Sequence, residues 1–308
     1  MFDLQGHRGA RGLWPENTLA GFTRTLELGV CALELDCAVS RDGVVVVTHD
    51  PELNPDCTRD AHGRFLARPG PPICALTYTQ LQSYDVGRLR PGSAYAARFP
   101  HQQPLDGERI PRLADVLNLA SARGRGRVRV AIEVKTFPER PELTLAPEPF
   151  VEALQRDLQH TGTAALVDVM AFDWRVLSAM QRLMPQVATT ALTEQQPGDD
   201  TVRIGAPQPS PWLGGLDPER FGRSVTRLVA ATGAGTWGPD YLDVDAPAIA
   251  AAHALGLRVV PWTVNEPADM ERLLALAVDG MTTDRPDVLR ALLEDRGMAV
   301  PPRPQERS

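Results

Sequence analysis

Cys31-Ala32-Leu33-Glu34-Leu35-Asp36-Cys37-Ala38-Val39-Ser40-Arg41-Asp42-Gly43-Val44-Val45-Val46-Val47-Thr48-His49-Asp50 is the stretch on which the fold turns. Two extended runs, Cys31 to Val39 and Val44 to Thr48, are joined by four residues that include Asp-Gly. A parallel crossover needs roughly a dozen residues or more, whereas so short a connection makes a hairpin. The two runs are therefore predicted to be antiparallel, which excludes the second from the count of parallel strands. The same hairpin returns His49 close to the level of Glu34 and Asp36.

Before this stretch, Phe2 to Gln5 reads as a short first strand leading into His7-Arg8-Gly9. Pro15-Glu16-Asn17-Thr18 opens a helix with an apolar face of Leu19, Phe22 and Leu26, closed by Gly29. After it, residues 51–108 are rich in Pro, Gly and Arg with weak periodicity, as expected of an insertion or small cap. A helix follows Pro111, and strand and helix then alternate. Strands are predicted at Val128–Lys135, Val167–Phe172, Val187–Leu192, near Thr236, at Leu257–Thr263 and at Gly280–Thr283. The helices fall at about Pro149–His160, Trp174–Met184, Pro218–Thr232, Ala246–Leu255, Pro267–Leu276 and Pro286–Glu294. With the first two strands this makes eight βα units. The expected fold class is α/β, a (β/α)8 TIM barrel with a small insertion after the second-strand hairpin. Residues 1–296 form its single domain, with 51–108 inserted and 297–308 a disordered tail.

Composition narrows the function. The 308 residues are 43% hydrophobic and carry a formal net charge of −7 with no polybasic run, which argues against nucleic acid as a partner. No apolar run approaches the length of a membrane span, so no stable membrane anchoring is expected. The first six residues run straight into His7, leaving no room for a signal sequence. Cys31, Cys37, Cys57 and Cys74 lack metal-ligand spacing and read as free thiols in a reducing, cytoplasmic setting. Composition leaves the oligomeric state open.

Alternation along a strand puts Glu34 and Asp36 on one face, with Leu33 and Leu35 on the other. It likewise turns Ala131, Glu133 and Lys135 inward in Ala131-Ile132-Glu133-Val134-Lys135. Three inward carboxylates at one end of a barrel repel one another, and a hard dication with oxygen ligands, Mg²⁺ or Ca²⁺, removes the repulsion. The alternative is a buried ion-pair network with Arg8 and Lys135. His7 and His49, each ending a strand among charges, suit the two proton transfers of phosphodiester hydrolysis, although both could instead be metal ligands. Arg8 and Lys135 suit non-bridging phosphate oxygens. Glu16 and Asp50 read as acids that orient Arg8 or a histidine. Trp262 and Phe172, at strand ends, either border a small carbon skeleton or belong to the core, and Asn265 is placed to bond a hydroxyl. Asp284, in Thr283-Asp284-Arg285-Pro286, is either the cap of the last helix or a site residue, and its spacing favours the cap.

The ordered set H-R-G (7–9), P-E-N-T (15–18), E-L-D (34–36), D-G (42–43), H-D (49–50), E-V-K (133–135), W-T-V-N (262–265) and T-D-R-P near 283 resembles the glycerophosphodiester phosphodiesterase family, specifically its short bacterial type. The resemblance runs from His7 to about Leu289. It implies a (β/α)8 barrel, metal ligation by Glu34, Asp36 and Glu133, an acid/base pair of His7 and His49, phosphate contacts from Arg8 and Lys135, and a glycerol pocket bordered by Trp262. The implied reaction converts small-molecule glycerophosphodiesters to sn-glycerol 3-phosphate and an alcohol, by attack of the glycerol 2-hydroxyl to give a cyclic phosphate that water opens. The chain departs from the pattern at Asn54 to Arg59 and in the long loop from Thr193 to Pro211, both placed to shape the headgroup pocket. Two other readings stand beside it. One is a lysophospholipase D-like enzyme at membranes, needing an apolar rim such as Ile73, Leu76, Tyr78 and Leu81. The other is a catalytically silent barrel that binds phosphorylated ligands.

Overall fold

The computed structural model describes residues 1–303. Its strands are β1 (Asp3–Gly6), β2 (Ala32–Val39), β3 (Val45–Val47), β4 (Arg129–Val134), β5 (Val167–Ala171), β6 (Ala188–Thr193), β7 (Thr236–Pro239), β8 (Arg258–Val259) and β9 (Gly280–Thr283). All but β3 run parallel, in the order β8-β7-β6-β5-β4-β2-β1-β9. Backbone bonds from Asp279 N to Val259 O (2.9 Å) and from Thr282 N to Pro261 O (3.0 Å) bring the two ends of the sheet together. The result is the expected eight-stranded parallel barrel. β3 pairs with β2 antiparallel, Cys37 opposite Val47 and Val39 opposite Val45, so the short Asp-Gly link does form a hairpin.

Helices cover the outside: α1 (Leu19–Leu28), the short α2 (Tyr78–Leu81) and α3 (Ala94–Ala97) of the insertion, α4 (Leu113–Arg123), α5 (Pro147–Thr161), α6 (Trp174–Leu183), α7 (Val225–Ala231), α8 (Ala246–Ala254), α9 (Pro267–Ala275) and α10 (Pro286–Asp295). Each strand sends alternate residues to the two sides of the wall. Leu33, Leu35, Val130 and Ile132 face outward into the main core with Phe22, Leu117, Phe150 and Leu177. Ala131, Met170 and Leu192 form a smaller apolar cluster with Phe172 and Trp262.

Three expectations change. β8 is shorter than Leu257–Thr263 because Pro261 has no N–H for the ladder, although Val260 N and Trp262 N still reach Trp237 O (2.9 Å) and Pro239 O (3.1 Å). The helix expected over Pro218–Thr232 is a 3-10 turn, Pro218–Phe221, followed by α7. Gly222 and Arg223 separate them in the left-handed region (φ 63° and 54°). Part of the tail expected to be disordered lies against the barrel, with Val300 on the core and the Pro301 carbonyl accepting from Arg290 Nη1 at 2.8 Å. Residues 304–308 of that tail lie outside the described residues. The inserted segment has its own small core of Leu53, Ile73, Leu81 and Ile110, joined to Ala38 and Val46 of the hairpin.

The inner end of the barrel is polar. Asp3 accepts from Arg129 Nη2 (2.5 Å), Arg258 Nη2 (3.2 Å) and Gln5 Nε2 (3.0 Å), and Asp168 accepts from the Thr190 hydroxyl (2.9 Å). Burial pushes the Asp168 carboxyl up to about 6, with Thr190 and Arg129 pulling the other way. An acid raised on folding binds its proton more tightly in the native state. Its contribution to stability is therefore full below the reference value of 3.8 and is lost as pH rises through about 6. Asp168→Asn should gain on the parent by up to about 3 kcal/mol between pH 3.5 and 7.5, as read from urea midpoints. A stability difference independent of pH would show that Asp168 titrates normally.

Candidate active site

The acids meet where β2 lies beside β4, with Asp36 in register with Glu133 and Glu34 with Ala131. All three carboxylates are buried, and one oxygen from each lies within 4.8 Å of the others. Lys135 Nζ sits 2.5 Å from Glu133 Oε1 and 3.1 Å from Asp36 Oδ1, and Arg8 Nε is 3.2 Å from Asp36 Oδ2. Burial opposes ionisation of Asp36, but Lys135 and Arg8 hold its carboxyl well below the ordinary value. Among the described residues no ammonium or guanidinium pairs with the Glu34 carboxylate, whose neighbouring base is His7 Nε2 at 3.9 Å. Burial, then the charges of Asp36 and Glu133, push it well above the usual range. Asp36 Oδ1 is buried without a hydrogen-bond partner, despite the ammonium nearby.

The ion-pair alternative and the metal reading are therefore not exclusive. Two cations serve Asp36 and Glu133 and leave Glu34 unbalanced. An unbalanced buried glutamate in an all-oxygen donor set fits a hard divalent cation.

Local backbone structure explains the sequence motifs around these acids. Arg8, Gly9 and Ala10 are all left-handed (φ 49°, 73° and 61°), and a Cβ on Gly9 would stand 2.9 Å from the Phe22 ring. That turn aims the Arg8 amide at Glu34 Oε2 (2.8 Å). The four residues 15–18 divide their work. Glu16 accepts from Arg8 Nη1 (2.9 Å), Asn17 Nδ2 donates to Asp36 Oδ2 (3.0 Å), and Thr18 caps α1 by accepting from Gly21 N (3.1 Å). Tyr95 of α3 donates to Glu16, tying the insertion to the site.

Both histidines point Nδ1 at a carboxylate, His7 at Asp284 (2.6 Å) and His49 at Asp50 (2.7 Å). A carboxylate only accepts, so Nδ1 carries the proton and Nε2 is left bare on each ring. Arg11 Nη2 also approaches His7 Nδ1, at 3.3 Å. A guanidinium cannot accept that proton, and Arg11 is already bidentate to Asp284 at 3.0 Å on both oxygens, so the shorter Asp284 contact sets the tautomer. Burial lowers the His7 pKa to about 4 despite Asp284, and burial with Arg8 and Lys135 lowers that of His49. Asn54 Nδ2 holds the other Asp50 oxygen at 2.6 Å.

Both histidines, Arg8, Glu34, Glu133 and Lys135 line a cavity of about 420 Å³, whose wall also includes Met170, Phe172, Leu192 and Trp262. Phe172 meets Trp262 edge to face at 5.3 Å, and Trp262 Nε1 donates to the Gly238 carbonyl at 2.9 Å. A larger cavity, about 660 Å³, opens between the start of the barrel and residues 301–303. It is lined by several arginines and no histidine, and its acid, Asp3, is already paired.

Asp284 does not cap α10, as its sequence context suggests; the cap position is Arg285, and Asp284 is buried between His7, Arg11 and Asn265. Asn265 spends its side chain on Asp284, donating to Oδ2 (2.8 Å) and accepting from the Asp284 amide (2.9 Å), and does not line the cavity. Sequence reasoning left Asp284 open to a site role while favouring the cap, and it missed Arg11, Tyr95 and Glu194 as members of this cluster. Inward alternation from Gly280 and Thr282 leads to Asp284, and from Thr190 and Leu192 to Glu194. No such signal marks Arg11 or Tyr95, which stand in irregular segments.

Residues 7–288 match the model of the Glycerophosphoryl diester phosphodiesterase family. A glycerophosphodiester phosphodiesterase of Caldanaerobacter subterraneus is 26% identical over 291 residues, covering 94% of this chain and 97% of that one. A human lysophospholipase D is 25% identical over 300 residues, covering 94% and 85%. Among solved structures, a Silicibacter pomeroyi protein assigned as a glycerophosphoryl diester phosphodiesterase superposes with a TM-score of 0.85 at 35% identity, over 97% of this chain and 95% of that one. The match extends from the first histidine to the last helix, and the chain belongs to the glycerophosphoryl diester phosphodiesterase family.

Proposed function

We propose that the chain is a divalent-metal-dependent phosphodiesterase that hydrolyses glycerophosphodiesters, deacylated phospholipids such as glycerophosphocholine or glycerophosphoethanolamine, to sn-glycerol 3-phosphate and an alcohol. The observation that carries this reading is the pair of carboxylate-oriented imidazoles, each with a bare Nε2, beside the Glu34, Asp36 and Glu133 triplet. Those three acids are the proposed ligands of Mg²⁺ or Ca²⁺. Bound there, the ion would neutralise charge on the phosphoryl oxygens.

Arg8 and Lys135 contribute their remaining N–H donors to the phosphate. His7, neutral at physiological pH, accepts the proton of the attacking hydroxyl at Nε2. His49, which follows the hairpin strand β3 and lines the same cavity, hands a proton to the departing alkoxide. The cations that depress its pKa, Arg8 and Lys135, are those a bound phosphodiester would neutralise, which returns the imidazole towards its charged form. Phe172 and Trp262 face the carbon skeleton. Four free thiols suit the reducing cytoplasm proposed for the chain.

The four residues offered as an apolar rim for the membrane-acting alternative are engaged within the insertion. Ile73 and Leu81 are buried in the insertion's core, and Leu76 and Tyr78 pack against it. Among the described residues, no helix is long and apolar enough to cross a membrane.

Release of glycerol 3-phosphate from glycerophosphocholine or glycerophosphoethanolamine is expected with Mg²⁺ or Ca²⁺ and is lost in excess EDTA. Ligand binding without turnover would instead favour the silent barrel. His7→Ala and His49→Ala should each lose roughly 10²–10⁴-fold in rate with the fold intact; a loss below tenfold removes that residue from the acid/base role. Asp284→Asn, which unsettles the His7 tautomer, should cost about 10²-fold or more in kcat. Thermal unfolding tests the ion without turnover. At 100 times its Kd a metal adds about 2.7 kcal/mol to stability. The parent's unfolding temperature should rise with Mg²⁺ or Ca²⁺, and that of Glu34→Gln should not. Equal shifts in both proteins would remove Glu34 from the ligand set.

A further inference from the structure

A second cavity, of about 350 Å³, adjoins the first. The two share His49, Glu133, Lys135, Phe172 and Glu194, and the second continues beneath the connection that follows β6. Its aromatic wall is a chain of edge-to-face contacts, Phe172 to Trp212 (6.4 Å, 82°) and Trp212 to Phe137 (6.2 Å, 85°). Its charges do not balance. Lys135 is engaged by Glu133 and Asp36, and Arg203 by Glu139 at 2.5 Å. What remains is acidic. Asp200 spends one oxygen on the amides of Val202 and Arg203, while the carboxylates of Glu194 and Asp199 have no hydrogen bond or ion pair among the described residues.

We propose that this side cavity receives the leaving alcohol and selects one carrying a positively charged ammonium group, quaternary or primary. The inference rests on the phosphodiesterase reading and names its substrate class. Aromatic faces attract a desolvated cation through their quadrupoles, and uncompensated carboxylates add a long-range attraction that a neutral polyol does not feel. Position supports the assignment, because His49, the donor to the departing oxygen, lines both cavities. Burial and the nearby Asp199, Asp240 and Asp243 raise Glu194 to about 7, a repulsion that a bound cation would relieve.

The test compares kcat/KM for glycerophosphocholine and glycerophosphoethanolamine with that for glycerophosphoglycerol and glycerophosphoinositol, using the full chain with Mg²⁺ or Ca²⁺. The cationic diesters should lead the neutral ones by about tenfold or more. Glu194→Gln and Trp212→Leu should each cut that ratio at least threefold. Glu194→Gln keeps shape and size, so it stands as the test should Trp212→Leu fail to fold. Turnover of all four diesters at similar rates, or a ratio untouched by Glu194→Gln, would overturn this inference and leave the phosphodiesterase reading standing. Turnover of none would overturn both.

Discussion

A fully buried carboxylate, Asp36, must be neutralised before the mouth of this barrel can form. A desolvated acid without partners costs several kcal/mol, so the groups that answer it are tied to one another. Lys135 comes from the adjacent stave, Arg8 from the loop beyond β1, and Asn17 from the turn ahead of α1. Arg8 also holds Glu16, which accepts from Tyr95, so the same charge organises the near edge of the insertion. The left-handed turn at residues 8–10 delivers the Arg8 side chain to Asp36 and its amide to Glu34. The proposed phosphate grip, the acid triplet and the chain path are thus aspects of one electrostatic arrangement.

Most of the barrel was legible because its signals are local. Strand alternation, the caps at Thr18 and Gly29, and above all the four-residue link of the hairpin act over a few positions. That link separates an eight-stranded barrel from a miscounted one, since β3 would otherwise be read as a stave. Legibility failed where the backbone departs from regular periods. Pro261 interrupts the ladder of β8, and left-handed residues at 222 and 223 break a helix whose apolar pattern continues through them. Residues 51–108 were opaque because their core gathers Leu53, Ile73 and Leu81, with Ile110 just beyond, from loops, a three-residue 3-10 turn and a four-residue helix. No period links such positions.

The candidate site followed the same division. Inward alternation placed Glu34, Asp36, Glu133 and Lys135 together, and strand ends brought His7, His49, Phe172 and Trp262 to one cavity. Asp284 was open to a site role, but a stronger local pattern favoured the cap, since Asp before Arg-Pro looks like a helix start. Its burial between two basic side chains is tertiary information, and so is the diversion of Asn265 to hold it. Arg11 has no periodic marker at all; it reaches Asp284 only because the loop doubles back.

The wall of the barrel is divided. Staves β1, β2 and β4, with the hairpin, present every acid, base and cation assigned to the phosphoryl group, while Phe172, Trp212 and Glu194 come from β5, β6 and their loops. A lineage built this way can retarget itself to a new metabolite by rewriting the loops that follow β5 and β6, leaving the reacting half untouched. Such separation lets drift in one sector proceed without jeopardising the other, and makes those two loops the natural segments for grafting between relatives.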